Sequence, residues 1–327
     1  MLPTMKLLLC CLVKAKLAIV LAFVCLILPS LCRGAESDES AETTGILVRI
    51  GHLQADPEAR IGSGVLHAMR QYLLKNAAVK NAMASEGVTD FAVLSTDSHE
   101  DLVQRMSQNE FDIAFCTAHD FVSQRGDYEV LFQLRRPRDS YDPRGQRVFH
   151  SGVIFVNNRS PLFRAEAPVE MLPDLLASSQ IAMVGSYSAP GYVYPSLKLA
   201  AYTSGTLPRR IRFCGSSEEV VKTVINGLAP MGACDSGAIE SVLAAHGLTD
   251  QRDRLVRVIL QTDPIPASPV VMLPRWLPRS SALGRAVQDA MRTFFASDST
   301  LPRLEPGSNA KYMDLRQNVE AFNALAR

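Results

Sequence analysis

The run DFAVLSTDSHEDLVQRMSQNEFDIAF, residues 90–115, decides the fold class of this chain. Its two ends, Asp90–Ser95 and Phe111–Phe115, are short apolar segments of the kind that favours buried strands. Between them, Ser98 is a preferred N-cap residue, and the segment after it is predicted to be a helix that ends at Gln108. The run is therefore one β-α-β unit, which favours a parallel sheet covered by helices.

The segment before this unit extends the same alternation. Gly45–His52 (GILVRIGH) is an apolar run suited to a buried strand. Residues 57–80 have helical spacing, and we predict one helix whose apolar face is formed by Val65, Met69, Tyr72 and Leu73. The first part of the chain thus predicts the order β-α-β-α-β.

The second part of the chain again alternates strands and helices, but its sequence does not repeat that of the first part. Apolar runs predict strands at 148–157, 181–185, 209–214, 231–235 and 254–261. Helices are predicted from about Pro190, from Ser217 to Ile225 and over 237–246. Ligands of such sheets bind beyond the carboxyl ends of the strands. Two α/β units that face each other would therefore form a ligand-binding cleft.

The N-terminus has the pattern of an export signal. Lysines precede an apolar run over Leu17–Leu31, and small residues lead to Ala35. The run is shorter than the roughly 20 residues that a membrane-spanning helix needs. We predict a signal peptide over 1–34, a flexible acidic leader over 35–44 and a periplasmic location. An uncleaved anchor and a lipidated Cys32 are the alternatives.

The charge of the exported chain excludes one class of partner. Four of the 34 Lys and Arg residues lie in 1–34, so 30 remain against 33 acidic residues, a net charge of −3. No basic field remains that would indicate nucleic acid.

Three cysteines lie beyond the signal, Cys116, Cys214 and Cys234. They allow one disulfide, for which Cys214–Cys234 is the pair we favour, or three half-buried apolar thiols.

Five stretches, in this order, resemble the phosphonate-, phosphite- and phosphate-binding proteins of ABC importers. They are FDIAFCTAHDFV (111–122), FHSGVIFVNNRSPL (149–162), MVGSYSAPGYVYPSLKL (183–199), VVKTVINGLAPMGACDSGAIESV (220–242) and ILQTDPIPASPVVM (259–272). The resemblance runs from residue 45 to about residue 315. It is carried by the order and spacing of the stretches together.

The resemblance implies an α/β fold of the type II periplasmic binding protein class, with two Rossmann-like lobes joined by a two-strand hinge. Lobe 1 would hold 45–150 and 258–327, and lobe 2 would hold 151–257. The protein would be a monomeric receptor that binds a small anionic ligand and delivers it to an ABC transporter permease. The sequence has no nucleophile-elbow, zinc-protease or P-loop motif, and we expect neither an enzyme nor a cofactor. Cys116 and His119 form a C-x-x-H pair, but no second pair lies nearby, so no metal site is expected.

The best candidate site from the residues themselves is the turn over Gly185–Tyr194. A helix that begins here would offer unsatisfied amides to an anion, and Gly191 would allow close approach to the backbone. The expected ligand contacts are Ser186, Tyr187, Ser188, Gly191 and Tyr192. Ser188 has a second interpretation as a helix cap, and the tyrosines could simply pack.

Four further residues lie at the ends of predicted strands. Thr117 and His119 follow the strand of the first lobe, and Asp235 and Ser217 belong to the second lobe. Asp235 could accept a hydrogen bond from a protonated ligand oxygen, or it could cap the next helix. Ser217 could bind the ligand or cap its own helix, and His119 could be an exposed loop residue.

Departures from the family pattern leave the ligand open. Ser188–Gly191 is S-A-P-G where the family has S-T-S-G, and Ser217 stands where members often have histidine. The alternatives are the same fold binding a different small molecule, a sensory module for a membrane partner, and an exported hydrolase.

An arginine cluster is the basic feature of the sequence. It could steer an anion to the cleft, or it could pair with nearby acids in a solvated loop; its members are Arg135, Arg136, Arg138, Arg144 and Arg147.

Overall fold

The computed structural model describes residues 45–54, 61–135 and 149–327. The predicted signal and leader lie outside the described residues, as does most of the arginine cluster. Gly45–Arg327 is one compact unit by its contacts. None of the helices in the described ranges has the length and continuous apolarity of a membrane-spanning segment.

The first part of the described chain alternates strands and helices. The elements are β1 (Ile46–Leu53), α1 (Ser63–Lys75), α2 (Ala77–Glu86), β2 (Val88–Thr96), α3 (His99–Ser107), β3 (Ile113–Phe115), α4 (Ala118–Ser123) and β4 (Glu129–Arg135). Ser98 caps α3 as predicted, because its hydroxyl accepts the amide of Asp101 at 3.1 Å. β4 was not predicted from the sequence.

The single helix predicted over 57–80 is wrong. Asn76 has an extended backbone, with φ −70° and ψ 125°, which interrupts the helix. Its side-chain oxygen then accepts the amides of Ala78 and Val79 at 3.0 and 3.2 Å. Asn76 therefore ends α1 and caps α2, a role for which asparagine is among the best residues.

The middle part begins with β5 (Phe149–His150), β6 (Gly152–Asn157), a 3₁₀ turn (Pro161–Phe163), α5 (Leu172–Ser178) and β7 (Ile181–Met183). A π-helical turn (Ala189–Val193), α6 (Tyr194–Ala200), β8 (Ile211–Phe213) and α7 (Ser217–Ile225) follow. Next are β9 (Met231–Asp235), α8 (Ala238–Ala245), a 3₁₀ turn (Thr249–Gln251), α9 (Arg252–Leu255) and β10 (Val256–Gln261).

The last part returns to the first sheet. It consists of β11 (Ile265–Pro266), β12 (Pro269–Met272), a 3₁₀ turn (Pro274–Trp276), α10 (Ala282–Ala296), β13 (Arg303–Pro306), a 3₁₀ turn (Asn309–Tyr312) and α11 (Met313–Leu325). Arg135 of the arginine cluster lies in β4 and pairs with Glu305 of β13 at 3.0 Å. This arginine therefore pairs with the edge strand of the sheet, β13.

The described residues form three sheets. A six-stranded sheet has the order β13-β4-β12-β3-β1-β2, and a five-stranded sheet has the order β10-β6-β9-β7-β8. We call the parts built on them the first lobe and the second lobe. β5 and β11 form a separate antiparallel pair, so the chain leaves the first lobe through β5 and returns through β11. This pair is the hinge, and its second strand lies after residue 257, where the second crossing was predicted.

Both large sheets are mixed, with parallel and antiparallel strand pairs. β1 is parallel to β2 and β3, whereas β12 is antiparallel to β3 and β4. In the second lobe, β7 is parallel to β8 and β9, whereas β6 is antiparallel to β9 and β10. The predicted second crossing, at residue 257, falls inside β10, which pairs with β6 from Val256 to Gln261.

Both faces of the second sheet are covered. Val153 and Phe155 of β6 belong to one apolar cluster, and Ile154 and Val156 belong to another. Alternation along a fully buried strand produces this arrangement. Ala189, Val193 and Tyr194 pack in the core cluster of the first lobe although they follow a strand of the second. The two lobes therefore contact each other through this turn.

The favoured disulfide is not formed. Cys116 and Cys234 are buried, Cys214 is half-buried, and all three are thiols rather than disulfide partners. The interpretation as three packed thiols is the one that the structure supports. Burial raises the pKa of the Cys234 thiol well above its usual value, with Asp235 adding to the effect, so this thiol is uncharged at neutral pH.

Candidate interlobe binding site

A small cavity lies where the two lobes and the hinge meet. Its volume is about 20 Å³, which is room for about one water molecule. Its walls come from the first lobe (Thr117, Ala118, His119 and Ser268), the hinge (His150, Ile265 and Pro266) and the second lobe (Ala189, Pro190 and Asp235). Three of the residues predicted from the sequence, Thr117, His119 and Asp235, therefore share one cavity.

The first-lobe wall is the start of α4. The Thr117 hydroxyl accepts the amide of Asp120 at 3.1 Å, and the Asp120 carboxylate accepts the amide of Thr117 at 3.0 Å. This reciprocal capping box fixes the turn. In the described part of the chain, no protein group accepts a hydrogen bond from the amide of Ala118 or His119. Two donors of the first lobe therefore remain for a ligand at the cavity.

The opposite wall is the π-helical turn of the second lobe. The Ser188 hydroxyl accepts the amide of Gly191 at 3.0 Å, so Ser188 caps this turn. Pro190 has no amide hydrogen, and no described protein group accepts from the amide of Ala189. Gly191 faces Val184, whose Cβ would be 2.7 Å from a Cβ at position 191. Within the predicted turn, Ala189 and Pro190 line the cavity, whereas Ser188 and Gly191 are not among its lining residues.

Asp235 is held from several directions. One carboxylate oxygen is 3.1 Å from Nδ1 of His150, and the other accepts the amide of Gly237 at 2.9 Å. The amide of Asp235 donates to the hydroxyl of Ser217 at 3.3 Å. The expectation that Ser217 caps α7 is wrong, since the cap is Ser216, whose hydroxyl accepts the amide of Glu219 at 3.2 Å. Ser217 thus supports Asp235 from behind the cavity.

Tyr187 joins the two lobes beside the cavity. Its ring stacks on His99 with centroids 5.0 Å apart and meets His119 edge-on at 5.2 Å. His99 in turn lies 2.9 Å from the Asp120 carboxylate through Nδ1. Burial raises the pKa of Tyr187, and the nearby carboxylates Glu100 and Asp120 add to the shift. Burial also lowers the pKa of His119, despite the opposing charge of Asp120.

The remaining predicted residues lie elsewhere. Ser186 is exposed, and Tyr192 packs edge-on against Phe213 and Phe322 at 5.2 and 5.1 Å. His119 is buried rather than exposed in a loop. Among the described residues, no group of three or more His, Cys, Asp or Glu side chains is arranged to hold a metal ion.

Sequence reasoning missed several groups at this site, namely His99, Glu100, Asp120 and His150. His99 follows the carboxyl end of β2, and His150 ends the hinge strand β5. A polar residue at the end of a parallel strand is a signal that could have indicated His99. His150 carries no such local signal, because its position at the cavity depends on the hinge pairing with Ile265.

Two α/β lobes, a two-strand hinge and a cavity between them define a periplasmic solute-binding protein of type II. The chain belongs to the family of periplasmic substrate-binding proteins of phosphonate ABC transporters, whose model matches residues 69–313. This family is a substrate-binding component of transporters, and membership implies an extracytoplasmic location.

Solved structures share the fold at low sequence identity. The binding protein component of an ABC phosphonate transporter from Pseudomonas aeruginosa aligns with a TM-score of 0.56 and 14% identity, over 86% of this chain and 88% of that one. A Xanthomonas citri protein bound to ATP aligns with a TM-score of 0.60 and 17% identity, over 86% of this chain and 98% of that one. A Prochlorococcus marinus protein in complex with methylphosphonate aligns with a TM-score of 0.56 and 13% identity, over 85% of this chain and 98% of that one. No curated protein sequence matches this chain.

Proposed function

We propose that this chain is the receptor of an ABC importer and binds a small oxyanion, of the phosphonate, phosphite or phosphate class, in the interlobe cavity. The proposal rests mainly on one observation: residues from both lobes that line the cavity have backbone amides to which no described protein group is bonded. The amides of Ala118 and His119 come from one side and that of Ala189 from the other. Family membership supports the same ligand class.

The described walls of the cavity contain no lysine or arginine. An oxyanion would therefore be held by backbone amides and by the side chains of Thr117, His119 and His150. Amide donors can bind an anion without a full positive charge. This manner of binding suits a small oxyanion with several acceptor oxygens.

The size of the cavity adds a requirement. A space for about one water cannot hold a phosphorus oxyanion, so the lobes must separate before a ligand enters. In the described residues the hinge pair is two residues long on each side, Phe149–His150 and Ile265–Pro266, and this described pairing provides few hydrogen bonds to resist bending. We therefore expect the ligand to enter an opened cleft and to be enclosed when the lobes return.

A ligand panel tests the proposal. Thermal unfolding is measured with methylphosphonate, phosphite, phosphate, sulfate and an uncharged sugar, each at concentrations up to 10 mM. A ligand that binds only the folded state at 100 times its Kd stabilises that state by about 2.7 kcal/mol. At least one phosphorus oxyanion should raise the melting temperature and the sugar should not.

A panel in which no phosphorus oxyanion shifts the transition contradicts the proposal. Native mass spectrometry of the protein purified without denaturation would then identify what it carries. Neighbouring genes separate the two partner classes: a permease and an ATPase agree with an importer, whereas an adjacent sensor kinase points to a sensory module.

A further inference from the structure

The hinge and the second lobe place an imidazole and a carboxylate together at the cavity. His150 ends β5 and Asp235 ends β9, 85 residues later, and both line the cavity. Nδ1 of His150 is 3.1 Å from the carboxylate, and the side chains are 18% and 10% exposed. The two residues therefore form a largely buried pair that lines the cavity.

Asp235 fixes the orientation of the ring. Its carboxylate cannot donate when ionised, so the geometry assigns the Nδ1 hydrogen to the hydrogen bond between them. Its second oxygen and its amide are engaged by Gly237 and Ser217, so the carboxylate has a defined position. Such carboxylate partners orient imidazoles and select their tautomer in many sites.

The other ring nitrogen remains for a ligand. When Nδ1 carries the only ring hydrogen, Nε2 is an acceptor. No protein group in the described ranges bonds to Nε2. The polar residues that line the cavity together with His150 are Thr117, His119, Asp235 and Ser268. A guest that offers a hydroxyl proton would satisfy Nε2, whereas a guest with acceptors alone would not.

We propose that His150 contacts the ligand, that Asp235 positions it, and that the pair makes the site prefer oxyanions that carry a proton over fully deprotonated ones. This inference rests on the proposed function and refines it. Hydrogen methylphosphonate and hydrogen phosphite have a P–OH group that donates to Nε2. Sulfate at neutral pH has none, so it leaves the Nε2 acceptor without a donor.

Calorimetric titration at pH 7.0 with methylphosphonate and with sulfate tests the inference. We expect the wild-type protein to bind methylphosphonate at least about tenfold more tightly than sulfate, the scale of one buried hydrogen bond. His150→Leu should weaken methylphosphonate binding by about tenfold and bring the two affinities within about threefold. The matched control is His246→Leu, which changes an exposed histidine of the second lobe and should alter neither affinity.

Asp235→Asn tests the positioning role, because an amide oxygen can still accept from Nδ1 but carries no charge. We expect a smaller loss of affinity with the selectivity retained. The double variant His150→Leu/Asp235→Asn should lose no more selectivity than His150→Leu alone, since the two residues act as one unit. Equal and additive losses from the two single variants would contradict the positioning role.

The outcomes separate this inference from the proposed function. If His150→Leu binds both probes as the wild type does, the inference is wrong and the oxyanion receptor stands. If the wild type binds none of the phosphorus oxyanions, both are wrong. If His150→Leu does not fold, His150→Gln keeps the residue polar, and unchanged selectivity in that variant would equally overturn the ring contact.

Discussion

At the scale of single residues, Gly191 shows how position decides the role of a glycine. The sequence suggested that it allows a ligand to approach the backbone, but the structure packs it against Val184. We predict that Gly191→Val lowers the free energy of unfolding by about 1–3 kcal/mol, because the added atoms overpack the turn. Urea unfolding measures this change.

The control lies in the same loop. Gly185 has no atom within 4 Å of a Cβ placed on it and shows no left-handed backbone conformation, so Gly185→Ala should unfold like the wild type. Equal urea midpoints for Gly191→Val and the wild type would refute the packing role.

His119 gives a prediction about pH. Burial lowers the pKa of this histidine in the folded state, so the folded protein holds it uncharged. As the pH falls below the usual histidine pKa of about 6.5, the unfolded chain binds a proton that the folded chain does not. The free energy of unfolding should therefore decrease on acidification below about pH 6.5.

Replacement of the ring tests the pH prediction. The wild-type protein should lose unfolding free energy between pH 7.5 and pH 5.5, and His119→Gln should lose less. His246→Gln should lose as much as the wild type. A residual slope is expected, because burial lowers the pKa of His52 as well. An identical pH dependence for His119→Gln and the wild type would be evidence against a buried, uncharged His119.

At the scale of an element, the start of α7 separates two adjacent serines. Ser216 accepts the Glu219 amide and caps the helix, whereas Ser217 accepts the amide of Asp235. We predict that Ser216→Ala lowers the free energy of unfolding by about 1 kcal/mol, the usual value of a lost cap. Ser217→Ala should keep the cap. Chemical denaturation of both variants provides the measurement, and a larger loss in Ser217→Ala would reverse the assignment.

At the scale of the whole molecule, Tyr187 connects the lobes. It stacks on His99 and meets His119 edge-on, and ring pairs of this kind contribute about 0.5–1.5 kcal/mol beyond their burial. We predict that Tyr187→Ala shifts the ligand-free protein toward an open form with a larger radius of gyration. Small-angle X-ray scattering measures it. Tyr202→Ala, an exposed tyrosine of the second lobe, is the control, and identical scattering from Tyr187→Ala and the wild type would contradict a connecting role.

Much of the fold could be predicted from short segments. Ser98 and the strand over Met231–Asp235 were placed correctly, because capping and burial of an apolar run depend on neighbouring residues. β13 could not be predicted, since its sequence Arg303–Pro306 (RLEP) contains no apolar run and it becomes a strand by pairing with β4. β4 itself was missed because Arg135 at its end was assigned to the arginine-rich loop.

The sequence by itself determined the alternating α/β lobes, the family and the likeness of the 183–199 segment to a ligand-binding turn. Only the tertiary structure decided which side chains meet at the cavity. His150 and Asp235 are 85 residues apart, and they come together because the hinge strand β5 leads into β6, which pairs with β9. Local sequence encodes helix caps and buried strands, but the partner of a side chain depends on how the strands are ordered in the sheet.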